Sequence, residues 1–189
     1  MGGYLLHSLM IALIGLPGSG KSTVGRQLAR RLQVPFYDSD SIIEERLGYS
    51  IREAFERDGE IFFRDLEESV LDELSQIPQG VLSTGGGAIL RPTTRQRLRE
   101  RGTVVYLNAQ PEKIFRRLQN DTTRPLLQVA NPMARLRDLF TARDPLYRDA
   151  AHFAIDTGRP SVSTLINTIL MQLELCQTTP LSLPTSVSN

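Results

Sequence analysis

A chain of 189 residues with 40% hydrophobic and 23% charged side chains is long enough for one well-cored domain and too short for two comfortable ones. Its formal net charge of +1 excludes a nucleic-acid binder that relies on counterion release, which needs a strongly basic face. The lone cysteine, Cys176, excludes an intramolecular disulfide and a cysteine-based metal site, and His7 and His152 are too few and too isolated to form a metal cluster.

The first apolar run, Leu5 to Ile14, lacks the basic flank of a signal peptide, and Leu6 stands where a myristoylation signal needs Ser or Thr. Leu9 to Ile14 is therefore read as a first strand of a soluble, cytoplasmic protein. It runs into Gly15-Leu16-Pro17-Gly18-Ser19-Gly20-Lys21-Ser22, a complete G-x-x-x-x-G-K-[ST] loop. By chance a chain of this length matches those four fixed positions about once in a hundred sequences. The glycines let consecutive N–H groups turn onto a phosphate, Lys21 adds a point charge, and the Ser22 hydroxyl suits Mg²⁺. Of the 22 basic residues only Lys21 and Lys113 are lysines, which sets the loop lysine apart. Ser22 to Leu32 continues as an amphipathic helix through Val24, Leu28 and Leu32, with its positive end at the loop.

Pro35 to Tyr37 is the second expected strand, followed by Asp38-Ser39-Asp40. In open parallel sheets ligands gather beyond the carboxyl ends of the strands, so both carboxylates face the nucleotide. They have a competing explanation as helix caps, but Ser41-Ile42-Ile43-Glu44 is itself a capping box able to start the next helix without them. Asp40 is then free to orient a hydroxyl or accept its proton, and Asp38 to hold water on Mg²⁺. Helical spacing follows over Ser41 to Leu47, Ile51 to Phe55 and Glu60 to Ser75. Within the last, Arg64 lies between Glu60 and Glu68 at four-residue spacing, which alone reads as a surface ion-pair ladder.

Val81 to Ser83 is a third strand, leading to Gly85-Gly86-Gly87. Three successive glycines mark either a loose turn or a close approach to the main chain, and the tripeptide alone does not decide between them. No aspartate ends this strand, so Asp38, Asp40, phosphate oxygens and water must complete any Mg²⁺ shell. Pro92 to Arg101, Pro111 to Gln119 and Pro132 to Arg148 each open a helix with proline in the first turn. Between them lie a fourth strand, Thr103 to Leu107, and a polar segment over about 119–131 centred on Arg124-Pro125, read as a lid. Arg143 stands among Arg135, Arg137 and Arg148, and the sequence does not single it out. Phe153 to Ile155, the helix Ser161 to Cys176 and a Ser/Thr/Pro-rich tail, 177–189, expected to be disordered, complete the chain. Strands alternating with helices predict an α/β fold, a parallel sheet covered on both faces.

Taken in order, Gly15 to Thr23, Phe36-Tyr37-Asp38-Ser39-Asp40, Gly59-Glu60 with Phe63-Arg64, Thr84 to Gly87, Arg124-Pro125-Leu126-Leu127 and Arg143-Asp144-Pro145-Leu146-Tyr147 closely resemble the shikimate kinase family. The resemblance implies a P-loop three-layer α/β/α fold like that of nucleoside monophosphate kinases, with a five-stranded parallel sheet. It further implies a single kinase domain over 1–176, a substrate-binding segment over about 38–67 and a mobile lid. The implied reaction is ATP-dependent phosphorylation of the 3-hydroxyl of shikimate, with Mg²⁺, in a monomer without nucleic-acid or membrane partners.

The same resemblance gives Asp40 the reacting hydroxyl, Arg64 and Arg143 the substrate carboxylate, and Gly85, Gly86 and Gly87 the backbone contacts to substrate. Gly18, Ser19, Gly20, Lys21, Ser22 and Thr23 hold the phosphates, and Lys21 and the lid's Arg124 stabilise the transferring group. Arg117 lies against the adenine, with Arg159 and Pro160 in the variable adenine loop, and Ser22 ligates the metal, for which the residue pattern itself adds Asp38. A gluconate-type or nucleotide-type kinase shares the loop and sheet, although the triple glycine and the Arg143 motif speak against it. A GTPase switch is opposed by the lack of N-K-x-D and D-x-x-G motifs, and a catalytically silent nucleotide binder by the intact motif positions.

Overall fold

The computed structural model describes residues 10–119, 129–158 and 160–178. Five strands, β1 (Met10–Ile14), β2 (Phe36–Asp38), β3 (Gly80–Ser83), β4 (Thr103–Asn108) and β5 (Phe153–Asp156), form one sheet in the order β2-β3-β1-β4-β5. Every pairing is parallel. The chain steps out from β1 to β2, returns through β3, then crosses to β4 and β5. The phosphate loop thus leaves the central strand where the order reverses, and the resulting crevice is the favoured ligand position of such sheets.

Side chains along the inner strands alternate between two cores, as the two-residue period requires. Met10, Ala12 and Ile14 pack with Leu82, Val104 and Tyr106 on one face. Ile11 and Leu13 pack with Val81, Val105 and Leu107 on the other. The first face is covered by α2 (Ser39–Leu47), α3 (Ile51–Arg57), α4 (Gly59–Ser75), α5 (Pro92–Arg101), α6 (Pro111–Leu118) and α7 (Pro132–Ala150). The second is covered by α1 (Lys21–Leu32) and α8 (Val162–Thr178). Both layers are apolar because a central parallel strand is buried on its two faces. No helix among the described residues is long and apolar enough to cross a membrane.

The expected elements are all present, and their ends differ in ways that bear on the site. The second strand runs one residue further than expected, to Asp38, and the next helix starts at Ser39 rather than Ser41. The Ser41 capping box is not used: Asp38 itself is the N-cap, its side chain accepting from the N–H groups of Asp40 and Ser41. Capping was the competing explanation for these carboxylates, and for Asp38 it holds. The last helix continues to Thr178, two residues into the expected tail. Most of the expected lid, including Arg124, and the remainder of the tail lie outside the described residues.

Candidate active site

The phosphate loop turns through Gly18 and Gly20, at φ 81° and 97°, left-handed backbone that favours glycine. Gly20 is also the N-cap of α1 and contributes no side-chain bond. The first-turn N–H groups of α1 are thereby presented to an anion at the positive end of the helix. Lys21 is buried and folds over the loop, donating to the Gly15 and Leu16 carbonyls, each at 2.9 Å. The Ser19 hydroxyl is buried without a hydrogen-bond partner among the described residues, a polar atom that a phosphate oxygen can satisfy.

Beside the loop, Asp38 stands in register with Ser83, which in turn pairs with Leu13. Its two oxygens divide their work: Oδ1 caps α2, and Oδ2 accepts the Ser22 hydroxyl at 2.7 Å. Ser83 Oγ lies 3.3 Å from the same hydroxyl, at a strand end that carries no aspartate. Among the described residues no group of three or more His, Cys, Asp or Glu side chains is placed to hold a metal. Two hard oxygen ligands next to a phosphate cradle fit Mg²⁺, which keeps several waters and takes substrate phosphates for the rest of its shell.

One cleft of about 510 Å³ collects Gly18, Ser19, Gly20, Lys21, Ser22, Thr23, Asp38, Asp40, Gly86, Arg117 and Pro160. Arg117 forms its outer wall, donating to the Ser19 carbonyl at 3.3 Å and to the Thr157 carbonyl at 2.6 Å. It ties the phosphate loop to the segment after β5. Arg159 lies outside the described residues, whereas Pro160 is in the lining.

Asp40, in the first turn of α2, is pushed up to about 6 by burial, then by the negative charges of Glu67 and Asp38, with Lys21 opposing. The glycine run packs against this carboxylate and its neighbours. A Cβ on Gly85 would lie 2.7 Å from both Asp40 Oδ1 and Glu67 Oε1, one on Gly86 2.6 Å from Pro17, and one on Gly87 2.5 Å from the Arg64 guanidinium. Close approach, rather than a loose turn, explains the three glycines. The Gly85 N–H also donates to the buried Ser39 hydroxyl at 3.1 Å, fixing the run to the start of α2.

Arg64 does not form the expected surface ladder. Its strongest partner is Glu67 at 2.6 Å, Glu60 is a weaker one at 3.4 Å, and Glu68 pairs instead with Arg91 and Arg97. The Arg64 side chain is only 13% exposed and Glu67 4%, and the guanidinium lies over the Phe55 and Phe63 rings. Burial raises the Glu67 pKa, and the charges of Arg64 and Arg143 pull it back. Of the two guanidiniums expected as a clamp, Arg64 is paired directly with this buried carboxylate beside Asp40, and Arg143 acts on it through its charge.

Sequence reasoning assigned no role to Glu67, yet it carried a signal. Phe63, Glu67, Val70, Leu71 and Leu74 are the buried stripe of α4, so this acid occupies a core-facing position. Arg143 is marked in the same way on α7, in line with the buried Leu136, Leu139, Tyr147 and Ala150. Arg135, Arg137 and Arg148 lie on the exposed side.

With this geometry in place, comparison with known proteins gives a consistent result. The family model described as shikimate kinase matches residues 17–174. A shikimate kinase of Paracidovorax citrulli is 62% identical over 175 residues, covering 91% of this chain and 96% of the relative. One of Ralstonia nicotianae is 53% identical over 165 residues, covering 87% of each. Among solved structures, the shikimate kinase of Acinetobacter baumannii in complex with shikimate superposes with a TM-score of 0.87 at 42% identity, covering 95% of this chain and all of that one. A gluconokinase of Sinorhizobium meliloti, at 16% identity and a TM-score of 0.54, shares the fold alone.

Proposed function

This chain belongs to the shikimate kinase family of small-molecule kinases, and from that premise we propose how its residues perform the reaction. The γ-phosphoryl group of ATP passes to the 3-hydroxyl of shikimate, giving shikimate 3-phosphate and ADP. The observation that carries this reading is a buried carboxylate, Asp40, that lines the phosphate cleft and meets across Gly85 the Glu67 carboxylate held by Arg64.

The phosphate loop, the α1 N-terminus and Lys21 receive the ATP phosphates, with Arg117 and Pro160 against the base. Arg64 and Arg143 grip the acceptor's carboxylate, for which the planar guanidinium fork is suited. Held at that end, the acceptor presents one hydroxyl to Asp40, in line with the phosphate. Asp40 accepts that hydroxyl's hydrogen bond and its proton as the O–P bond forms and the bond to ADP breaks. Mg²⁺ bound through Ser22 and Asp38 would offset charge on the transferring phosphate oxygens. Arg124 and the lid are assigned to the same charge and to the exclusion of water. The setting is the cytoplasm, the acting unit a monomer, and residues 1–176 its kinase domain.

A coupled ADP-release assay across shikimate, quinate, gluconate and nucleoside monophosphates tests this reading. Shikimate is expected to give the highest kcat/KM. A higher value for gluconate or a nucleoside monophosphate overturns it.

A further inference from the structure

Three consecutive glycines give the acceptor loop its close contacts and also its greatest freedom to wander, so something must hold them. The Gly85 and Gly87 carbonyls are fixed locally, accepting from the Ala88 and Leu90 N–H groups at 3.1 and 3.0 Å in the 3₁₀ turn that follows. The Gly86 carbonyl lies between them and accepts instead from the Tyr147 hydroxyl on α7, at 2.6 Å.

We propose that Tyr147 is a positioning residue for the acceptor pocket, locking the Gly86–Gly87 peptide so that the glycine run and the arginines present one fixed surface to the acceptor's carboxylate. Four observations place it in that role. Tyr147 is fully buried, so it acts through its partners, the Gly86 carbonyl and the Arg143 guanidinium, and not by touching substrate. Its ring stacks on Tyr106 with centroids 4.9 Å apart and planes 24° apart. Tyr106 is anchored in turn, donating to Asp144 Oδ1 at 2.9 Å, while Arg148 holds Asp144 Oδ2 at 2.8 Å. On its far side the same peptide abuts Arg64, as the contact at Gly87 requires.

Burial raises the Tyr147 pKa and keeps the phenol protonated and donating, while the Arg143 guanidinium, one helical turn earlier, donates to the same phenol oxygen and pulls the shift back. One hydroxyl therefore links α7, which carries one arginine of the clamp, to the loop that packs on the other. Glycine supplies a flexible strip, and tyrosine removes the flexibility at the single carbonyl the local turn leaves unheld.

The inference rests on the acceptor reading above, and the test separates the two. Tyr147→Phe removes one oxygen and keeps the ring. It is expected to raise the KM for shikimate about three- to tenfold, the size of one lost hydrogen bond, with kcat and the KM for ATP unchanged. Tyr106→Phe, which keeps the stacked ring and the Tyr147 hydroxyl and loses the Asp144 anchor, is expected to raise the shikimate KM less than Tyr147→Phe does. In the ligand-free Tyr147→Phe protein, amide hydrogen exchange at Gly86 and Gly87 should quicken relative to the sheet amides. An unchanged shikimate KM, an equal rise in both KM values, or unaltered exchange at these glycines would each overturn the proposal. Absence of shikimate-dependent ADP release by the wild type would sink the acceptor assignment instead, while the exchange comparison still reads the Tyr147–Gly86 bond.

Discussion

Asp40 and Glu67 come from different helices and meet across Gly85, where a single added carbon would lie 2.7 Å from an oxygen of each. Gly85 does not have positive φ, so the backbone at this position accepts alanine and only the contact forbids it. Gly85→Ala is expected to push both carboxylates off their positions and to lower kcat/KM for shikimate about 10²-fold, the cost of misplacing a reacting group by roughly 1 Å. Steady-state kinetics alongside a melting curve check this. Wild-type kcat/KM would show that the two acids do not define the pocket.

Burial and two negative neighbours hold the Asp40 pKa at about 6. The ionised form accepts the acceptor's proton, so kcat/KM should climb as pH rises through about 6 and level off above it. The same shift acts on stability with the opposite sense. Because the folded-state pKa exceeds the ordinary value of 3.8, the native protein binds the proton more tightly, and stability is lost as pH rises from about 4 through 6. Asp40→Asn is therefore expected to depress kcat by about 10² to 10⁴ while raising Tm at neutral pH. The stabilisation, about 1–3 kcal/mol, should fade as the pH is lowered toward 4. A Tm difference independent of pH would separate Asp40's ionisation from its burial.

Arg64 and Arg143 share a carboxylate to bind, but only Arg64 is in direct contact with Glu67. Replacing either with alanine should raise the shikimate KM by about 10 to 10² fold and leave the KM for ATP in place. Arg64→Ala alone should also lower Tm, because it strips the 2.6 Å partner from Glu67, and an uncompensated buried charge is costly. Adding Glu67→Gln to Arg64→Ala should restore much of the Tm and none of the affinity. Recovery of both in the double variant would mean that Arg64 serves Glu67 and not the substrate.

The alternation of strands and helices was legible because β1, β3 and β4 are buried runs separated by helices whose apolar spacing is regular. The phosphate loop was legible because its residue types are dictated by local backbone geometry. The start of α2 was not, since Asp38 and Ser41 both carry side chains able to cap a helix. Only the sheet register, which sets Asp38 beside Ser83, decides between them. Arg64 misled for a related reason: Glu60, Glu67 and Glu68 all lie within one turn of it, and ion-pair spacing cannot tell the buried acid from the exposed ones. The apolar stripe through Phe63, Val70 and Leu74 could have, because a charged residue in a core-facing position must be partnered.

Asp38 performs two tasks with separate oxygens, and asparagine separates them. Its Oδ1 caps α2 and its Oδ2 accepts the Ser22 hydroxyl. Asparagine caps as well as aspartate, so Asp38→Asn should retain α2 and the wild-type Tm. What it loses is the negative charge and one acceptor beside Ser22, the residue that would ligate Mg²⁺. The Mg²⁺ concentration for half-maximal rate should rise about 10- to 100-fold, as when a group supporting a metal ligand is removed, and the rate should recover in part at high Mg²⁺. Asp38→Ala removes the cap too, adding about 1 kcal/mol of destabilisation that excess metal does not reverse. Ser83, at 3.3 Å from the Ser22 hydroxyl, offers a second oxygen but no charge, so it cannot substitute. A Mg²⁺ titration of the three proteins at fixed ATP decides the matter. An unchanged half-saturation in Asp38→Asn would reduce Asp38 to a helix cap.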